Sequence, residues 1–94
     1  MSRKRKTMVR LNKWTVRPYS KSLNKQVYVC LENTALRALK KLEDFLKSKR
    51  GKEAWPTQEE RQVIWQQAID SVIREADPSE LTTLQGTKVW RKEL

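Results

Sequence analysis

The stretch NTALRALKKLEDFLKSK, residues 33–49, alternates apolar and polar positions with the period of a helix. Its apolar residues recur at steps of three and four, which places them along one stripe of a helical surface. The members of that stripe are Leu36, Leu39, Leu42, Phe45 and Leu46. The pattern predicts an amphipathic helix over 33–49, with Asn33 or Thr34 as its N-cap and Gly51 as the residue that ends it.

A second helix is predicted to start at the sequence TQEE. Thr57 and Glu60 have the spacing of a capping box, in which each side chain accepts a hydrogen bond from the other residue's amide. The apolar residues that follow come in doublets four residues apart, which gives the helix a wide apolar face. These doublets are Ile64-Trp65, Ala68-Ile69 and Val72-Ile73. An Asp-Pro pair ends this helix near residue 76, and Ser79 is expected to cap a further short helical turn.

Strand-like alternation precedes both helices, in the sequence QVYVCLE at 26–32. One face carries Val27, Val29 and Leu31, and the other carries Gln26, Tyr28, Cys30 and Glu32. The first face is predicted to be buried and the second to face outward. Residues 8–17 are also rich in strand formers, but their alternation slips at Asn12-Lys13, where a bulge or break is expected. Residues 18–24 are turn-prone, and Pro18 is expected to end the preceding strand.

The strand at 26–32 needs a hydrogen-bonding partner for its backbone, and the sequence leaves two open. The partner is either its own copy across a two-fold axis, or residues 8–17 of the same chain. The first gives an intertwined homodimer and the second a monomeric ββαα domain. Because a single-strand unit of this size has a small core, the homodimer is favoured. The predicted organisation is a basic arm at 1–25, a strand–helix–helix domain at 26–76 and a C-terminal extension at 77–94.

The sequences QVYVCLENTALRALKKLEDFL and TQEERQVIWQQAIDSVIREA together resemble a ribbon-helix-helix protein, the fold of many small repressors. The resemblance covers about half of the chain. It implies a mainly α fold with a short β element, in which β-α-α units dimerise through paired strands. In this family the paired strands enter the major groove of DNA as an antiparallel ribbon.

The resemblance also implies site residues. Base contacts would come from the outward residues of the strand and its start, which are Lys25, Gln26, Tyr28 and Cys30. A glutamine can make two hydrogen bonds to adenine in the major groove. Phosphate contacts would come from Thr57 and Gln58 at the start of the second helix, although Glu59 and Glu60 bring negative charge to the same helix end.

The net charge of +10 is concentrated at the beginning of the chain. Residues 1–25 contain nine basic residues and no acidic one, whereas residues 26–94 contain 12 basic and 11 acidic residues. A block of one sign is typical of segments that bind a polyanion, most often nucleic acid; the alternative is a solvated tail. The predicted phosphate contacts in this arm are Arg3, Lys4, Arg5, Lys6, Arg10, Lys13, Arg17 and Lys21.

Two aromatic residues, Trp14 and Tyr19, interrupt the basic arm. Aromatic side chains among basic ones can stack on unpaired bases. They can equally be the apolar anchors that hold the arm against the domain. For Trp14 the anchoring interpretation is favoured.

Several kinds of chemistry have no support in the composition. The chain has no histidine, one cysteine and two glycines, so no metal site, phosphate-binding glycine loop or cofactor is expected, and an enzyme is not expected. A single cysteine cannot form an internal disulfide, which fits a reducing compartment. No apolar run approaches the length of a membrane span. A cytoplasmic location is expected, associated with the nucleoid in a bacterium or phage.

Two functions are therefore expected. The first is a small dimeric DNA-binding transcriptional regulator that reads the major groove with a β-ribbon, with DNA favoured over RNA as the ligand. The second is a small accessory or inhibitor subunit that docks on a larger protein, nucleic-acid enzyme or ribonucleoprotein. In that case the basic arm would contact RNA or DNA.

Overall fold

A computed structural model of the protein describes residues 14–87 and residue 89. These residues form a mainly helical fold with a short antiparallel β element, which confirms the predicted fold class at that level. The strands are β1 (Trp14–Val16), β2 (Tyr19–Ser20), β3 (Lys25–Gln26) and β4 (Cys30–Glu32). The helices are α1 (Ala35–Lys47), α2 (Lys49–Ala54), α3 (Gln58–Glu75) and α4 (Pro78–Gln85).

The four strands form one hairpin, in which β1 pairs with β4 and β2 pairs with β3. The first strand of the hairpin consists of β1 and β2, and the second strand consists of β3 and β4. Residues 14–20 thus supply the partner of the second strand, so the strand that the sequence left open pairs within its own chain. The predicted boundary between residues 25 and 26 falls inside β3. Pro18 has no amide hydrogen and donates no bond across the hairpin, but its carbonyl accepts a hydrogen bond from the Val27 amide at 2.8 Å, and β2 begins at Tyr19. The slip expected at Asn12-Lys13 lies outside the described residues.

The second strand of the hairpin contains a one-residue bulge. The carbonyl of Val16 accepts a hydrogen bond from the Val29 amide at 2.8 Å, yet the register partner of Val16 is Cys30. Two residues therefore oppose one, and the side-chain alternation shifts by one position. As a result Cys30 is only 4% exposed, whereas Leu31 is 48% exposed. The predicted orientations of both residues, Cys30 outward and Leu31 inward, are wrong for this reason.

Helix α1 begins where Thr34 accepts a hydrogen bond from the Arg37 amide at 3.2 Å, as its capping pattern predicts. It ends at Ser48 and not at Gly51, because Ser48 starts the short helix α2 and accepts a hydrogen bond from the Gly51 amide. Gly51 lies inside α2 against the end of α1. A Cβ atom at Gly51 would lie 2.1 Å from the carbonyl oxygen of Phe45, so the close approach of the two helices requires glycine.

Helix α3 has the predicted capping box. The Thr57 hydroxyl accepts from the Glu60 amide, and the Glu60 carboxylate accepts from the Thr57 amide, both at 3.0 Å. Helix α4 follows directly and is capped by Asp77, whose carboxylate accepts from the Glu80 amide at 2.9 Å. The expectation that Ser79 caps this segment is wrong, because the proline at position 78 occupies the first helical turn and leaves Asp77 as the cap.

The core lies where α1 meets the hairpin and α3. Its buried residues from these helices include Leu39, Leu42, Leu46, Trp65, Ile69 and Val72. Helix α4 closes one side with the fully buried Leu84. It is also joined to α1 by a hydrogen bond from the Ala35 amide to the Glu80 carboxylate at 2.5 Å. This core supports the hairpin along its inner side and leaves its opposite side exposed.

Candidate nucleic-acid interface

The side of the hairpin that faces away from the core carries a row of exposed side chains. We call this row the outer face; it consists of Thr15, Arg17, Tyr19, Gln26, Tyr28 and Leu31. Tyr19 and Gln26 are register partners, and residues that oppose each other in an antiparallel pair share a face of the sheet. The outer face therefore combines a cation, an amide and two phenols, groups that contact phosphates and bases in nucleic-acid complexes.

The turn of the hairpin is held in one conformation by polar contacts. The Tyr19 hydroxyl donates to the Asn24 side-chain oxygen at 2.6 Å. Asn24 has φ 56°, in the left-handed region that asparagine tolerates. Its backbone N–H donates to the Lys21 carbonyl at 3.2 Å. This conformation places Lys21 and Lys25 on either side of the tip, both exposed. Within residues 14–87, neither lysine forms an ion pair.

Two hydrogen bonds attach the hairpin to the end of α2. The buried Ser20 hydroxyl donates to the Ala54 carbonyl at 2.6 Å and accepts from the Leu23 amide at 3.0 Å. The Trp55 indole N–H donates to the Tyr19 carbonyl at 3.0 Å. Because these bonds are buried or partly buried, they hold the tip firmly against the helices. The outer face is thus presented on a fixed support.

A cleft of about 590 Å³ lies between the second strand of the hairpin and the junction of α1 with α2. We call it the tip cleft. The side chains that bear on its chemistry are Lys25, Gln26, Tyr28, Phe45, Arg50 and Glu53. Three of the four predicted base-contact residues therefore lie together along one wall. The other wall carries Phe45 and Arg50, which the sequence did not indicate as site residues. Phe45 belongs to the apolar stripe of the first predicted helix, and Arg50 belongs to the predicted connection between the helices. Neither pattern shows that these residues face the strand.

Cys30, the fourth predicted base-contact residue, lies on the inner side of the hairpin. Its thiol is 3.8 Å from the Ala38 carbonyl, to which it donates a weak hydrogen bond. Burial raises the pKa of this thiol, and the neighbouring Glu32 carboxylate raises it further. The residue is therefore a small core side chain that is kept in its neutral form, and the bulge explains why the alternation of the sequence misplaced it.

The base of the hairpin is electrostatically different from its tip. The Glu32 carboxylate forms ion pairs with Lys41 and with Arg37, whose Nε lies 3.1 Å from Glu32 Oε1. Hydrogen bonds from Lys41 and then Arg37 hold the pKa of Glu32 below its usual value. The carboxylate likewise raises the pKa of Lys41. Of residues 14–32, Glu32 alone is acidic, so the negative charge of the hairpin lies at its base, whereas Lys21 and Lys25 lie at its tip.

Trp14 packs against the core through its half-buried ring, in agreement with the anchoring interpretation. It lines a groove of about 230 Å³ between β1, α1 and α3. Its indole N–H is buried and has no hydrogen-bond partner among the residues that the structure describes. Tyr19, the other aromatic residue predicted for stacking, is 51% exposed on the outer face.

Thr57 and Gln58, predicted to contact phosphate, lie at the exposed start of α3. Thr57 is engaged in the capping box, and the Gln58 side-chain oxygen accepts from Arg61 at 3.3 Å. Their phosphate role stays a prediction. The remaining predicted phosphate contacts, apart from Arg17 and Lys21, lie outside the described residues; they are Arg3, Lys4, Arg5, Lys6, Arg10 and Lys13.

Comparisons of the chain with models of protein families, with curated proteins and with solved structures found no match. Among the helices that the structure describes, none is both long enough and apolar enough to cross a membrane. The described residues also contain no group of three acidic, cysteine or histidine side chains arranged to hold a metal ion.

Proposed function

We propose that the protein binds nucleic acid and that the hairpin is its recognition element. The observation that carries this proposal is the outer face, where Arg17 and two tyrosines stand beside Gln26 on a rigid support. Lys21 and Lys25, which have no acidic partner among the described residues, flank it at the tip. Basic groups hold the phosphate backbone and fix the orientation of a complex, while amide and aromatic groups reach the bases. The basic segment that precedes the hairpin adds phosphate contacts and most of the affinity.

The proposed role on duplex DNA is that of a transcriptional regulator. The major groove is wide enough for a two-stranded antiparallel ribbon, and both strands of this ribbon come from one chain. A symmetric ribbon-helix-helix arrangement would require a second copy to add along the edge of β4 that β1 does not occupy. In either arrangement the residues that touch bases are Lys25, Gln26 and Tyr28.

Salt dependence of binding tests the electrostatic part of the proposal. If six phosphates are contacted, the logarithm of the binding constant should fall with the logarithm of salt concentration with a slope of about −5. Deleting residues 2–7 should flatten that slope and leave the preferred sequence unchanged. A slope near zero for the full chain would contradict the proposal.

Selection of binding sequences tests the hairpin's part. Tyr28→Ala should weaken or abolish the sequence preference and leave the fold intact, because the Tyr28 side chain is exposed on the outer face. Val63→Ala is the matched control, since Val63 is similarly exposed but belongs to α3. If both variants select the same sequence as the wild type, the hairpin does not read bases.

The second candidate function is that of an accessory subunit on a larger nucleic-acid enzyme or ribonucleoprotein. It is favoured by four large side chains of the hairpin that are substantially exposed, which are Tyr19, Leu23, Tyr28 and Leu31. Exposed apolar groups that cluster on one element are characteristic of protein contacts. Light scattering separates the two functions: a stable homodimer supports the regulator, and a monomer that aggregates without a partner supports the subunit.

A further inference from the structure

The tip cleft shares Gln26 and Tyr28 with the outer face, but it is concave and is bounded on its other side by the junction of α1 with α2. Lys25, Gln26 and Tyr28 line the strand wall, and Phe45 and Arg50 line the helix wall. Its volume of about 590 Å³ falls within the range of roughly 300–1,000 Å³ that is common for pockets that hold small ligands. The intact double helix is far too large for such a space, so only a part of a nucleic acid can enter it.

Planar groups on both walls favour a flat ligand. Tyr28 is 57% exposed and belongs to the lining of the cleft. On the opposite wall the Arg50 guanidinium lies 5.5 Å from the centre of the Phe45 ring, in a cation–π arrangement. Phe45 is itself fixed by an edge-to-face contact with Trp55, with ring centres 6.2 Å apart. Aromatic rings and guanidinium planes are the groups on which unpaired bases stack.

The cleft lining carries both signs of charge, so it offers partners for a base as well as for its phosphate. Lys25 and Arg50 are positive, but Glu53 contributes a carboxylate to the same lining. A carboxylate repels phosphate, whereas it can accept a hydrogen bond from the exocyclic amine of a base. Gln26 can hydrogen-bond to a base as either donor or acceptor. The phosphates of a bound strand would then follow Lys25 and Lys21 around the tip.

We infer that the tip cleft holds the base of an unpaired nucleotide, so that the ligand is a nucleic acid with a single-stranded stretch. The inference rests on the proposed function, which it narrows: a base inside a duplex is covered by its stacked neighbours and cannot reach either wall of the cleft. Tyr28 on one side and Arg50 on the other hold the base, and Lys25 holds the adjoining phosphate.

The test compares four probes with the full-length protein at one salt concentration. They are a 12-nucleotide single strand, the same sequence as a blunt duplex, that duplex with a six-nucleotide overhang, and 5′-AMP alone. The strand and the overhang should bind about tenfold more tightly than the blunt duplex, since stacking of one base contributes about that factor. AMP should bind far more weakly than the strand, because it lacks the neighbouring phosphates.

Matched variants locate the effect in the cleft. Arg50→Ala and Lys49→Ala each remove one positive charge from adjacent, exposed positions of α2, but Lys49 does not line the cleft. Lys49→Ala should weaken all polymer probes by the same factor. Arg50→Ala should cause an additional loss of about tenfold for the strand and overhang only, which Arg50→Lys does not restore because lysine lacks the planar group.

A single 2-aminopurine in the strand gives a direct signal of stacking. Its fluorescence should be quenched on binding to the wild type and less so on binding to Tyr28→Ala, at saturating protein. Equal binding of blunt duplex and strand, or identical effects of Arg50→Ala and Lys49→Ala, would overturn the inference while leaving nucleic-acid binding intact. AMP binding as tight as that of the strand would overturn it in favour of a free nucleotide. Failure of every probe to bind would overturn the proposed function itself.

Discussion

The helical core and the hairpin place the same types of residue in opposite environments, one buried and the other exposed. Leu42 in α1 is completely buried, whereas Leu31 in β4 is 48% exposed. Ser20 is buried and makes two hydrogen bonds, while Ser22, two residues further along the same turn, is exposed. The difference teaches that the helices and the inner side of the hairpin carry the stability of the fold, whereas the outer face leaves its side chains exposed for the recognition that we propose.

The largest expected effect comes from exchanging a leucine in each region for alanine. Leu42→Ala should lower the free energy of unfolding by about 3 kcal/mol, because it removes buried methyl groups and leaves a cavity. Leu31→Ala should change it by less than about 0.5 kcal/mol. Urea denaturation followed by circular dichroism measures both. Equal losses in the two variants would show that the outer face also contributes to the core.

The two glycines give the next comparison. Gly51→Ala should destabilise the protein by about 2 kcal/mol, because the new methyl group would overlap the Phe45 carbonyl and force α1 and α2 apart. Gly86→Ala is the control, since a Cβ atom at Gly86 would lie 3.5 Å from the Thr83 carbonyl oxygen, which is ordinary contact. Its effect should stay within about 0.5 kcal/mol. The thermal unfolding midpoints of the two variants should differ accordingly; similar midpoints would argue against the close packing of α1 on α2.

Ser20 and Ser22 test how the tip of the hairpin is held. Ser20→Ala should cost about 1.5 kcal/mol, because it removes a buried hydroxyl and leaves the Ala54 carbonyl without that donor. Ser22→Ala removes an exposed hydroxyl and should be close to neutral. Hydrogen exchange at the Leu23 amide, which donates to the Ser20 hydroxyl, should accelerate in Ser20→Ala alone. An unchanged exchange rate would mean that the tip does not depend on this anchor.

The smallest effect is electrostatic and concerns Glu32 at the base of the hairpin. The pKa of the Glu32 carboxyl in the folded protein is lowered from its ordinary value of 4.5. The carboxylate therefore stabilises the folded protein above pH 4.5, and this stabilisation is lost as the pH falls through the lowered pKa. Glu32→Gln should therefore be slightly less stable than the wild type at neutral pH. The difference should vanish in acid, where the wild-type carboxyl is protonated. Urea midpoints of both proteins at pH 7 and in acid check this; a difference that persists in acid would point to lost packing.

The helices could be predicted well because their determinants are local. The period of the apolar residues, the cap at Thr34 and the capping box at Thr57 act within a few residues, and all of them appear in the structure. The cap of α4 was predicted wrongly as Ser79, because Asp77 was assigned only to the end of the preceding helix, and both are good cap residues. The position of Pro78 in the first turn decides between them.

The candidate interface could be predicted only in part. Alternation along 26–32 correctly indicated Gln26 and Tyr28 as exposed, but it failed after Val29, where the bulge reverses the phase. Nothing local to this strand signals the bulge, since it depends on how Val16 pairs across the hairpin. The second wall of the tip cleft could not be foreseen for a similar reason: Phe45 and Arg50 lie about twenty residues further along the chain and meet the strand only after folding.

The sequence by itself determined the two long helices, their starts and the concentration of positive charge before residue 26. These follow from helical periodicity, from hydrogen bonds between residues three apart and from simple counting. Only the tertiary structure decided that the strand at 26–32 pairs with residues 14–20, that Cys30 turns inward and Leu31 outward, and that α2 brings Arg50 to the hairpin. The physical reason is that strand register and helix junctions are set by contacts between distant parts of the chain, whose combined packing outweighs any local preference.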